Sequence, residues 1–222
     1  YVLRTAGVTY AEYARRGFWQ LLVVTALTLA VLAAAARWAP RDARSERVLL
    51  RVLLGALAVL TLIIVASALH RMHTYQQAYG FTRLRVLVSA CELWLGAVFL
   101  AVLAAGVRLR GSWLPEATVA AAIAALLGLV ALNPDRFIAD RNVDRYYRAG
   151  RIDVSYLSGL SADAVPALDR LPAMLRACAL EPIADDLEHR PDAWRDLNIA
   201  RSAARRLLEA EPDRPIGAFC TR

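Results

Sequence analysis

Residue types able to do chemistry are concentrated between Ser67 and Glu92, in the stretch SALHRMHTYQQAYGFTRLRVLVSACE. It holds His70 and His73, Arg71, Arg83 and Arg85, and the tyrosines Tyr75 and Tyr79 four residues apart, before Glu92 enters the next apolar run. Each group has a definite potential. A carboxylate inside a span is costly unless it faces a bundle interior with a partner, so Glu92 is the sharpest single residue. Arg85, seven residues earlier on the same helical face, is the first candidate partner; Arg71 or His70 would reach Glu92 across the connector. The competing reading places Glu92 shallow enough to be hydrated, and the residues favour neither.

The histidine pair at i and i+3 has the spacing of two metal ligands on one helix face, but no third ligand is spelled out nearby. Interface histidines at a helix end are the better reading, and no metal or cofactor is expected. Asp135, Asp140 and Asp144 suggest paired-carboxylate chemistry until Arg136, Arg141, Arg145 and Arg148 are set among them. Arg136 with Asp140 and Asp144 with Arg148 stand at ion-pairing spacing, which predicts a solvated, salt-bridged helix. No phosphate-binding glycine loop, dinucleotide fingerprint, nucleophile elbow or zinc-protease motif appears. An enzyme is therefore the poorer reading.

The elements that must position these groups are membrane spans. Apolar residues make up 58% of the 222, against roughly 45–50% in soluble domains. Residues 18–36 carry no charge over 19 positions, enough at about 1.5 Å per residue to cross a hydrocarbon core of roughly 30 Å. Further spans are predicted near 52–69, 86–107 and 114–132, with Trp19, Trp38 and Trp113 at headgroup level. Ala117–Leu132 is alanine-rich, which predicts a span packed closely among others. Thr9 and Glu12 form a capping box that opens an interfacial helix in 1–17. Tyr1 opens in mid-pattern, so the chain reads as a fragment whose earlier spans are missing.

Asn133-Pro134 is an N-cap followed by proline at the first helical position, and it opens a helix closed by Gly150. From there to 222, prolines punctuate short helical segments, and Trp194, Leu197 and Leu208 are expected in their core. The fold class is all-α: a polytopic membrane bundle of four spans in 18–132, then a small soluble helical domain in 133–222.

Net charge is +7, and all 27 basic residues are arginine. Residues 1–132 hold 13 arginines against 5 acids, and 133–222 hold 14 against 15, so the excess lies in the membrane half. That distribution suits anionic lipid headgroups and topology signals and argues against nucleic-acid binding. Arginine density is higher in the loop 37–51 than in the connector 70–85, which puts the loop in the cytoplasm and the C-terminal domain outside. There Cys178 and Cys220 would sit in an oxidising compartment able to pair them, while Cys91 reads as an inert thiol in a span.

The segments TYAEYARRGFWQL (9–21), SALHRMHTYQQAYGFTRLRV (67–86) and NPDRFIADRNVDRYYRAGRIDVSYLSGLSADAVPAL (133–168) together resemble a bacterial multi-spanning family, abundant in actinobacteria, catalogued as a domain of unknown function (4173, also 4153). The resemblance implies a multi-pass cell-membrane protein with further spans ahead of residue 9. It carries no reaction, cofactor or catalytic residue. The expectation is a non-enzymatic envelope or signalling scaffold in the lipid bilayer that acts through other membrane or envelope proteins. The alternative is a transporter or channel with a polar path lined by Glu92 and the connector arginines.

Overall fold

The computed structural model describes residues 44–108, 112–189 and 199–209, with short helical pieces between 23 and 34. The expected interfacial helix in 1–17, most of the first span in 18–36, and Trp194, Leu197 and Cys220 lie outside the described residues. Helices dominate and no strand occurs among the described residues.

Helix α1 runs Arg44–Tyr79, α2 Arg83–Arg108 and α3 Leu114–Leu132; each is long and apolar enough to cross a membrane. The C-terminal helices among the described residues are α4 Pro134–Ala149, α5 Val154–Leu157, α6 Val165–Leu168, α7 Ala173–His189 and α8 Ile199–Glu209, with a 3₁₀ turn at Ala162–Ala164. Residues 44–51 were expected in a loop, yet they form the first turns of α1. The reason is local: past Pro40 no proline or glycine interrupts the chain before Gly55, and Glu46 favours a helix N-terminus. At 36 residues, α1 extends well past what a bilayer needs.

The chain divides into two compact units, one of residues 1–67 and 95–121, the other of 68–94 and 122–222. In the first, Ala58 and Phe99 are fully buried, with Leu54, Leu57, Leu62, Val102 and Leu103 packed around them. Gly96 lets α2 come close to α1, since a Cβ there would lie 3.6 Å from Val65. Among the described residues, none packs against the alanine-rich span closely enough to bury a residue of it. No residue of α3 is buried, and Val130 is 76% exposed.

In the second unit a continuous core joins Val86 of α2 to Ile138 and Val143 of α4, Leu157, Val165, Leu168, and Leu180 and Ile183 of α7. Ala204 of α8 is buried in the same cluster, with Leu208 against it. The end of α1, the turn and the start of α2 thus belong with the C-terminal helices.

Candidate functional site

The turn between α1 and α2 is the most elaborately held part of the described chain. Gly80 stops α1 with φ +84°, a left-handed conformation that costs glycine little, and donates its N–H to Gln76 O at 2.8 Å. Thr82 then caps α2, its hydroxyl accepting from Arg85 N. A helix leaves its last four carbonyls without intrahelical partners. Here every one of them is satisfied. Gln76 O takes the Gly80 amide, Gln77 O and Ala78 O take Arg145 Nε at 3.0 Å and Nη2 at 2.6 Å, and Tyr79 O takes Arg85 Nη1 at 3.2 Å. Because the last turn of α1 has no basic residue of its own, the cations that suit its negative end come from α2 and α4.

Asn142, 6% exposed in the middle of α4, holds the next residue from both sides. Its Oδ1 accepts from Phe81 N at 3.0 Å, while its Nδ2 donates to Phe81 O at 2.9 Å and to Ile138 O at 3.0 Å. Gly80 is glycine for this neighbour as well as for its backbone, since a Cβ there would fall 2.6 Å from Asn142 Oδ1. Phe81 also meets Phe137 edge to face, ring centroids 5.7 Å apart.

A second tie lies beside the first. Arg83 reaches Asp135 with two nearly parallel bonds of 2.7 and 2.6 Å, and Ser161 N donates to the same carboxylate at 2.9 Å. Burial works against charge on Asp135, but these hydrogen bonds and the Arg83 charge outweigh it and hold the carboxyl below its ordinary range. Asn133 caps α4 as its sequence predicts, accepting from Arg136 N, and donates to Asp163 at 2.6 Å.

The residues singled out from sequence fall into two groups. Arg85, Tyr75 and Tyr79 come together: the Arg85 guanidinium lies 4.6 Å from the Tyr75 ring centroid, and the two tyrosine rings are 4.6 Å apart. Arg85 is therefore turned to the hinge and is not the partner of Glu92. The cation acting electrostatically on Glu92 is Arg71. Glu92 itself is buried, and its Oε2 has no hydrogen-bond partner among the described residues. His70 is exposed, and His73 Nε2 lies 2.8 Å from Gln77 Nε2. No metal-binding group of three or more His, Cys, Asp or Glu forms among the described residues.

The predicted ion pairs along α4 are also replaced. Asp140 and Asp144 both turn to Arg170, at 3.1 and 3.3 Å, because the α6–α7 connection brings one guanidinium between two carboxylates a helical turn apart. Arg148 donates to the Asp144 backbone carbonyl. Cys91 is free and Cys178 is disulfide-bonded.

Asn142 and Arg145 were missed as site residues. The signal for Asn142 was present: asparagine inside a helix lowers its propensity and usually has a hydrogen-bonding reason to be there.

A family model described as "Domain of unknown function (DUF4153)" matches residues 1–171. The chain belongs to this family. Neither a curated protein nor a solved structure matches it. Of the two numbers attached to the sequence resemblance, 4153 is the one matched. The DUF4153 region takes in the hinge, Asn142, Arg145 and the Arg83–Asp135 pair. It stops at Leu171, so α7 and α8 cover the core from beyond it.

Proposed function

We propose that this DUF4153 protein is a non-enzymatic membrane scaffold, in which the hinge segment 68–94 and the C-terminal helices act as one element that presents a surface to partner proteins of the envelope or of a signalling assembly. The observation that carries this reading is the use of the hinge's polar groups. Arg85, Arg145 and Asn142 spend their donors on backbone carbonyls of residues 77–81, so the cluster acts as a mechanical clamp and leaves those groups unavailable for turnover. A clamp of this kind transmits displacement of a span end to the helices beyond it. The test is affinity capture of the membrane-embedded chain. Deleting residues 172–222, or weakening the clamp with Asn142→Ala and Arg145→Ala together, should abolish co-purification of the partner while Glu92→Gln leaves it intact. Partner recovery unaffected by both changes refutes the reading.

Exposed leucines and valines along α1, α2 and α3 support residence in a lipid bilayer as a multi-pass protein of the cell membrane. An extracytoplasmic C-terminal domain is supported by the arginine density of 37–51 and by the disulfide at Cys178, since such bonds persist in oxidising compartments. Thiol labelling of reduced protein confined to permeabilised cells would refute that placement. One observation favours a second reading, a transporter or channel: the buried Glu92 oxygen without a partner. Its test is flux in reconstituted vesicles, lost on Glu92→Gln with folding preserved.

A further inference from the structure

One chemically capable group takes no part in the clamp. Glu92 sits three residues beyond Ser89 on α2, 8% exposed, with Oε2 lacking any hydrogen-bond donor among the described residues. Its helix is long and apolar enough to cross a membrane. An ionised oxygen without a donor in that setting is strongly disfavoured. Ser89, one turn before Glu92 on α2, donates its hydroxyl to Arg85 O, and Gln76 Nε2 goes to Arg85 O and Ser89 Oγ.

Two kinds of ligand relieve such an oxygen. A metal cation asks for several oxygen ligands, and the described residues gather no group of three or more acidic, histidine or cysteine side chains. A proton asks for one. The other charged or titratable groups of the stretch 67–92 are His70, Arg71, His73, Tyr75 and Tyr79 on α1 and Arg83, Arg85 and Cys91 on α2. Arg85 is turned to the hinge carbonyls, and Arg71 is the cation whose field acts on Glu92. We propose that Glu92 is a proton-binding site, alternating between a neutral carboxyl and a carboxylate. The proton exchanges with water, and nothing is oxidised or reduced. Arg71 is exposed on α1 two turns before Tyr79. The site stands whether the protein is a scaffold or a transporter, because proton occupancy needs neither a partner nor a flux.

The experiment treats the full chain in lipid vesicles with a hydrophobic carbodiimide, from mildly acidic to mildly alkaline buffer. A protonated carboxyl adds its O–H across the reagent; the proton goes to nitrogen, the oxygen bonds the central carbon, and acyl transfer leaves a stable acylurea. Mass spectrometry of the Glu92 peptide should show labelling that falls about tenfold per pH unit above its midpoint. In Arg71→Gln the midpoint should move to higher pH, because the charge that favours the carboxylate is gone. Infrared difference spectra of wild type against Glu92→Gln, reading the carboxylic-acid C=O stretch, give the same titration without relying on reagent access. If Glu92→Gln does not fold, Arg71→Gln carries the infrared test with the carboxyl untouched. A Glu92 signal that responds neither to pH nor to loss of Arg71 overturns the proposal, whether it is always acid, an inert buried carboxyl, or always carboxylate, a fixed ion pair.

Discussion

Replacing Asn142 by alanine removes the one side chain that satisfies both backbone groups of Phe81. Both bonds are partly buried, at 3.0 and 2.9 Å, and Asn142 is 6% exposed. Leaving a buried amide or carbonyl unpaired costs about 1–3 kcal/mol. The third bond, to Ile138 O, counts for less, since that carbonyl keeps its helical amide. Asn142→Ala should therefore destabilise the second unit by about 2–5 kcal/mol, most of it from Phe81. Asn142→Asp is the sharper probe. It keeps an acceptor for Phe81 N but sets a second carboxylate oxygen against Phe81 O and Ile138 O, so it should cost at least as much as alanine in neutral buffer. Thermal unfolding in detergent gives the magnitude, and hydrogen exchange of the peptide around Phe81 gives the location. If that peptide keeps wild-type protection in Asn142→Ala, the clamp does not hold the hinge and the reasoning fails.

Gly80→Ala should cost about 1–2 kcal/mol from the left-handed backbone alone, and more because Asn142 Oδ1 must withdraw from a Cβ at 2.6 Å. In a double-mutant cycle with Asn142→Ala the excess should vanish, and strict additivity of the two melting shifts would refute the contact. Arg145→Lys keeps charge but lacks the fork that spans Gln77 O and Ala78 O; a loss of about 1–2 kcal/mol is expected, and a melting point equal to wild type would show that the carbonyls need charge alone. Asp135→Asn should cost about 1–2 kcal/mol, discounted because Arg83 is half exposed. Asp135 is held below its usual range, so its stabilisation is complete above the unfolded-state value of roughly 3.9 and is lost as pH falls through the lower folded value. Acid unfolding scans should accordingly lose their Asp135-dependent component below about pH 4 in the asparagine variant, and identical acid limbs would count against the pair.

What the sequence disclosed and what it withheld divide along the range of the interactions. Asn133-Pro134, Gly80 and Gly150 announce helix ends by local rules, and the structure places a cap or a stop at each. The apolar run expected near 114–132 lies in helix α3, Leu114–Leu132. By contrast, the bond from Asn142 to Phe81 crosses 61 positions and that from Arg145 to Gln77 crosses 68, distances over which no periodicity carries information. The sequence offers α4 three aspartates and four arginines, and spacing alone pairs them within the helix; only the fold reveals that Arg170 takes two of the carboxylates and that Arg145 turns away to the carbonyls of α1. Pairing by spacing treats a helix as though it stood in water. Once α4 lies against the end of α1, the carbonyls of Gln77 and Ala78 offer the Arg145 guanidinium two hydrogen bonds, and a basic residue at a helix C-terminus also suits the negative end of the helix dipole. Arginine suits that task better than lysine, since one planar head reaches two carbonyls at once. The same reasoning explains the misassignment of Arg85, which serves the end of α1 and does not turn to Glu92.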